Sequence, residues 1–210
     1  MKFGILITLF LVFIGCEYVA EREPENNQIE ADSTGLIDET PENQIENSIL
    51  NSFLENPIDL QEYKKKKQMR FTSSVTNGLD YYYKPEVRDS IFYVYYYRNE
   101  EVLPKEIDKI VVFKHGKNKH AYEDETETLI ELRVFNKDSD LGKGNLVGLT
   151  KTELETKFGS DYLTLNNRIV YSNKNKVLII ELDNKRVKSF NYLKLSSEKI
   201  DSDQIGRIIK

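Results

Sequence analysis

The stretch Leu149-Thr150-Lys151-Thr152-Glu153-Leu154-Glu155-Thr156-Lys157-Phe158-Gly159 decides how the chain is read. Thr150 followed three residues later by Glu153 is a capping box, in which each residue's side chain satisfies the other's free backbone N–H at a helix start. Leu149 before the cap and Leu154 on the fourth helical position form a hydrophobic staple, and Gly159 supplies the left-handed stop. The spacing predicts a helix of about two turns, too short to stand alone. Three strands follow, at 168–172, 176–182 and 186–195, separated by the polar turns Asn173-Lys174-Asn175 and Asp183-Asn184-Lys185. In the middle strand Leu178, Ile180 and Leu182 share one face and Val177 and Ile179 the other, so it is expected to be buried on both sides. A short helix feeding antiparallel strands is an α+β arrangement.

Working backwards from this unit, strands are expected at 79–83, 90–97, 107–114 and 128–136, with connections short enough for antiparallel neighbours. Ahead of them, Ile45, Ile49, Leu50, Phe53 and Leu54 recur at helical spacing up to Asn56-Pro57. A second helix then opens with Asn56 as cap and Pro57 in its first position, carries Leu60 and Tyr63 on its apolar face, and closes on Lys64 to Lys67. That lysine run reads as a solvated, dipole-complementing helix end, or more sharply as a contact for lipid phosphates or an anionic partner. The fold class is therefore α+β, antiparallel sheets packed with short helices, organised as two helix-plus-sheet repeats at 48–140 and 146–195 within a module spanning 48–195. Residues 196–210, with Ile200, Ile205, Ile208 and Ile209, form a C-terminal tail or short helix.

The strand at 90–97 carries Phe92, Val94 and Tyr96 on one face and Ile91, Tyr93, Tyr95 and Tyr97 on the other. Tyr93, Tyr95 and Tyr97 read in two ways. They pack under a helix or across strands, or they form an exposed stripe for partner recognition, since Tyr offers rigid amphipathic contact area.

Composition narrows the chemistry. The chain has 210 residues, net charge −5, 13 Tyr and 10 Phe, and a single Cys with two His. One Cys cannot form an intrachain disulfide, and so few His and Cys argue against a transition-metal centre or a Cys/His nucleophile pair. His115 and His120 sit five residues apart in a basic loop rather than on one helix face. Gly142-Lys143-Gly144-Asn145 lacks the strand-loop-helix setting and the Lys-Ser/Thr ending of a phosphate loop. Asn136, Asp138 and Asp140 begin like a calcium loop, but its twelfth position is Val147 instead of a bidentate Glu. No catalytic, metal or cofactor-binding residue is assigned, and no cofactor is expected.

The address is read from the other end. Lys2 precedes an uncharged run from Phe3 to Gly15, which ends at Cys16, the only Cys. As a helix this run would reach about 20 Å against a hydrocarbon core of roughly 30 Å, which fits an export signal better than a membrane span. Phe13-Ile14-Gly15-Cys16 resembles a bacterial lipobox. The resemblance implies diacylglycerol on the Cys16 sulfur, cleavage before it (signal peptide 1–15), and a palmitate-type lipid anchor.

From Glu17 to Asn47 ten carboxylates face one base, Arg22, a net charge of −9. Such a segment is expected to be a disordered acidic tether, 16–47 with the lipidated Cys, reaching about 30 Å. With +1 at Lys2, this leaves +3 for residues 48–210, too small a basic field for a nucleic-acid partner. Acidic residues soon after the Cys also resemble the sorting determinants of lipoproteins of Bacteroidetes-like bacteria.

The run Gly148-Leu149-Thr150-x-x-Glu153-Leu154, closing on Phe158-Gly159, resembles the helix-plus-strands unit of the small outer-membrane-assembly lipoproteins (BamE/SmpA type) and of beta-lactamase inhibitor protein. The likeness covers residues 146–195, and the Pro-Asp common after that helix is Asp161-Tyr162 here. It implies binding or scaffolding without a cofactor, and transfers no functional residue beyond Cys16. The expected function is a lipid-anchored envelope protein at the outer membrane, periplasmic or surface side, that binds a protein partner and no nucleic acid. The alternative is an envelope hydrolase acting on peptidoglycan or glycan through paired carboxylates.

Overall fold

The computed structural model describes residues 41–65, 72–76, 78, 81–87, 89–97, 106–121 and 126–209, all within the compact unit Glu39–Lys210. Two helices, α1 (Pro41–Glu55) and α2 (Leu60–Lys65), precede β1 (Thr72–Thr76), β2 (Ser90–Tyr97), β3 (Asp108–His115) and β4 (Thr128–Val134). Then α3 (Lys151–Phe158) precedes β5 (Leu163–Leu165), β6 (Arg168–Asn173), β7 (Lys176–Asp183) and β8 (Arg186–Lys194), and α4 (Ser202–Ile209) closes the fold. Every strand pair is antiparallel, in the order β1-β2-β3-β4-β8-β7-β6-β5. The expected α+β class holds. The first half is two helices and the second one helix, each followed by a four-strand meander, and the halves fuse through β4 and β8 into one sheet rather than separate ones.

The capping box at α3 is formed as read. Thr150 Oγ1 accepts the Glu153 N–H at 3.2 Å, and Glu153 Oε2 accepts the Thr150 N–H at 2.7 Å. The Thr150 N–H, together with the Thr150 hydroxyl that donates to the same Oε2 at 2.8 Å, holds the Glu153 carboxyl below the usual carboxylate range. Gly159 stops the helix with φ 82° but ψ 174°, an extended glycine-only conformation rather than a left-handed helical one, and its N–H reaches the Glu155 carbonyl at 2.8 Å.

Several boundaries shift. α1 begins at Pro41, inside the segment 16–47 read as tether, so that stretch ends in helix. α2 starts later than predicted, because Asp59 rather than Asn56 caps it: Asp59 Oδ1 accepts the Glu62 N–H at 2.9 Å. The predicted strand at 79–83 is replaced by an irregular segment from Tyr81 to Tyr83, and residues 79–80 lie outside the described set. That segment is held across the sheet by the Lys84 N–H to Ser196 Oγ and the Ser196 N–H to the Tyr82 carbonyl, at 2.5 and 3.3 Å. Gly78 turns into it with φ 74°, and any Cβ there would strike the Phe92 ring. The sheet has two further strands at its edges, β1 and β5, outside the predicted set.

One sheet face is covered by helices and the other by two separate apolar patches. On one, Leu50, Phe53 and Leu54 of α1, Tyr63 of α2 and Leu154 and Phe158 of α3 pack on Ile110, Leu132, Tyr171, Leu178, Ile180 and Phe190. On the other, Tyr81 and Tyr83 cover Phe92, Val94, Val111, Phe113 and Ile130. α4 lays Ile205 over Val170, Val177, Ile179, Leu193 and Leu195, so the C-terminal stretch docks as a helix. Interior strand β7 is buried on both faces from Lys176 to Ile180, as its composition predicts.

Lys64 departs from both readings of the lysine run, while Lys65 is exposed at the helix end. Lys64 is buried, its Nζ 3.0 Å from Glu127 Oε1, and Lys114 Nζ lies 2.9 Å from the same oxygen, with all three side chains at most 3% exposed. Lys66 and Lys67 lie outside the described residues.

Candidate functional site

Among the described side chains of the tyrosine stripe, Tyr95 is buried and Tyr93 half-buried. Tyr95 is 3% exposed and donates to Glu127 Oε1 at 3.3 Å. Tyr93 stacks on it, with ring centroids 6.3 Å apart, and carries the Lys114 ammonium 5.0 Å from its own centroid. These two tyrosines belong to the packing around the Lys64–Glu127–Lys114 ion cluster beneath the helices, which removes Tyr95 as a contact for a partner. The side chain of Tyr97 and the whole of Cys16 lie outside the described residues.

The other candidates lie apart from one another, and His115 and His120 are both exposed. His120 Nδ1 lies 3.4 Å from Tyr93 Oη, and His115 packs on Phe113. No group of three or more metal-ligating side chains occurs among the described residues. Gly142–Gly144 is a single 3₁₀ turn, not a phosphate cradle, and Gly144 packs against the Pro57 carbonyl. In the Asn136-Asp138-Asp140 loop, Asn136 Oδ1 accepts the Asp138 N–H at 3.0 Å, and Asn145 Nδ2 donates to the carbonyls of Asn136, Lys137 and Ser139. Buried Asp108 pins the start of that loop by accepting the N–H groups of Phe135 and Asn136 at 2.7 and 3.2 Å, with Ser139 Oγ donating to its other oxygen. Burial pushes the Asp108 carboxyl up, against the pull of these bonds.

A different surface emerges where the two halves join. Pairing of β4 with β8 sets Glu131 opposite Leu193 and Arg133 opposite Asn191, while β3 sets Lys109 beside Arg133. Leu132 and Val134 point into the helix-side core, so Glu131 and Arg133 point to the opposite face. There, between the apolar patch under Tyr81 and Tyr83 and the patch under α4, the sheet exposes a polar strip. Glu131, with a side chain only 6% exposed, takes Lys109 Nζ at 2.9 Å and Arg133 Nη2 at 3.5 Å on one oxygen. The Arg133 side chain stays 45% exposed. Asn191 Oδ1 is buried without a hydrogen-bond partner.

Two hollows flank this point and share Arg133, Asn191 and Ile208. One, of about 250 Å³, has Tyr81, Tyr82, Lys109 and Lys194 around it. The other, of about 220 Å³, has Phe135, Arg168, Glu181 and Ser189. Together they make a trough alongside β8. Its far wall is fixed by Arg168 Nη1, which donates to the Ile209 carbonyl at 2.9 Å and so closes the C-terminal end of α4. Glu181 pairs with Lys188 at 3.1 Å, a bond that raises the Lys188 ammonium above its ordinary value. Burial, with Lys176 nearby, lowers that of Lys194. A strip of this kind can hold a ligand by charge and hydrogen bonds. Glu131 and Arg133 were readable as outward positions on a half-buried strand, but their meeting with Asn191 depends on long-range strand order.

No family model matches this chain, and neither a curated protein nor a solved structure matches it. Among the described residues no helix is long and apolar enough to cross a membrane.

Proposed function

We propose that this chain is a lipid-anchored protein of the cell envelope, held at the outer membrane through Cys16, that works as a protein-binding or scaffolding module without a catalytic step or cofactor. The address is supported by the apolar run that ends at the single Cys and by the acidic segment after it. One acyl chain holds a protein only marginally, whereas two or more give lasting attachment. The binding role is supported by the sequence pattern from Gly148 to Gly159, which resembles that of the outer-membrane-assembly lipoproteins and of beta-lactamase inhibitor protein.

The observation that carries the binding role is the trough. Its two hollows, about 220 and 250 Å³, fall below the usual size of an enclosed small-molecule site and are strung along a strand. That shape suits a chain segment better than a compact substrate. A hydrolase would need two carboxyl groups converging on a cleft with separated acid and base roles. The trough's carboxylates, Glu131 and Glu181, are each engaged by a cation, which favours recognition over proton transfer.

In-cell crosslinking of the tagged chain followed by mass spectrometry tests this reading, with Cys16→Ala as control. A reproducible envelope partner, lost or reduced without the anchor, is the expected result. An empty result with the protein folded and abundant would reject it.

A further inference from the structure

We infer that the trough takes an extended, acidic segment of the partner protein, with Arg133 as the anchoring donor and Asn191 as the acceptor of a main-chain N–H. This rests on the protein-binding reading above and specifies its surface.

Charge sets the sign of the ligand. The lining contains Lys109, Arg133, Arg168 and Lys194 against Glu131 and Glu181, so its formal charge is +2. At the centre one carboxylate, Glu131, is shared by two cations. Arg133 has a fork of five N–H donors that fits a carboxylate bidentately, and its contact with Glu131 uses one nitrogen.

Hydrogen bonding sets the kind of anion. Asn191 Oδ1 is a buried acceptor without a partner, a costly state that a ligand N–H relieves. A peptide main chain brings such donors at regular intervals beside its side-chain carboxylates. Phosphate oxygens bring none.

Geometry sets the length. The hollows run alongside β8 from Ser189 to Lys194, five residue steps or about 17 Å at ~3.3 Å each, the span of roughly six extended residues.

The test places a benzophenone photo-crosslinking residue at Tyr82, on the trough wall and 45% exposed, or at Ile49, on α1 and 44% exposed, in cells making the full chain. Capture through Tyr82 of a segment rich in Asp and Glu is expected, with yield reduced at least tenfold by Arg133→Glu. Arg133→Gln and Lys109→Gln should reduce it less, and thermal melts verify that each variant folds. In vitro, fluorescence anisotropy should show the mature chain binding a labelled Glu-Ser decamer at least tenfold tighter than a Lys-Ser decamer. Arg133→Glu should remove that preference, and added salt should weaken it.

Equal affinity for the two decamers, unchanged binding by Arg133→Glu, or binding to phosphatidylglycerol vesicles but not to the acidic decamer would overturn the inference. Capture through Ile49 alone would overturn it while leaving the protein-binding reading in place. Capture through neither position would remove both.

Discussion

Replacing Glu127 by Ala should destabilise the fold severely, because it removes the carboxylate that compensates two buried ammonium groups. Glu127 is 1% exposed in its side chain, with Lys64 Nζ 3.0 Å from both of its oxygens, Lys114 Nζ at 2.9 Å and Tyr95 Oη at 3.3 Å. At an effective dielectric of 20, each ion contact at 3 Å is worth about 5 kcal/mol before desolvation. Desolvation offsets most of that, but removing one partner leaves the opposite charges buried, at a net cost of about 3–5 kcal/mol. For a unit of this size the melting temperature should fall by about 6–20 °C, and the urea midpoint by roughly 2 M at a slope near 2 kcal/mol/M. Glu127→Gln, which keeps an acceptor, should cost less. The triple replacement Lys64→Met, Lys114→Met, Glu127→Leu should return close to wild type, since a buried ion cluster is seldom better than apolar packing of equal volume. Urea unfolding followed by far-UV circular dichroism measures all of these. A Glu127→Ala variant within about 1 kcal/mol of wild type, or a loss that disappears in high salt, would refute the burial argument.

Leu178 is fully buried in the central strand, so Leu178→Asp should leave the module unfolded or insoluble by placing an unpaired charge in the core; a soluble variant with a native melt would mean the strand faces are misassigned. Thr150→Ala should cost about 1 kcal/mol by removing the cap, measured by urea unfolding, and Thr150→Ser should restore most of it. Asp108 gives a pH signature of definite sign. Its folded pKa is raised above 3.8 by burial, so the folded state takes up a proton before the unfolded state does, and this group's contribution to stability grows as pH falls towards 3.8. Wild type should therefore gain on Asp108→Asn across that acidic range, and a constant or shrinking difference would contradict the assignment.

Local chemistry was legible and long-range chemistry was not. α3 could be read because capping box, staple and glycine stop lie within eleven residues. β7 could be read because Val177 to Ile180 leave no polar face. β1 is Thr-Ser-Ser-Val-Thr, without an apolar alternation, and β5 only Leu-Thr-Leu, an alternation too short to signal a strand; each is a strand because a neighbour offers it a hydrogen-bonding edge. Tyr93 and Tyr95 share a face that the alternation of β2 identifies, but whether that face is covered depends on the helices and on Lys114 from the next strand. Lys64 reads as a surface charge until Glu127 reaches it through the fold. The trough was hidden for the same reason, since Arg133 and Asn191 become neighbours only when the last strand of one half pairs with the last strand of the other.

The address on which the proposed function rests is tested most directly at Cys16. Cells fed an alkyne-tagged fatty acid should label the wild-type chain, and mass spectrometry should find its mature N-terminal peptide beginning at Cys16 with diacylglycerol attached. Cys16→Ala should stay unlabelled and uncleaved. A wild-type chain that retains residues 1–15, or equal labelling of the variant, would contradict the lipid anchor and the envelope function built on it.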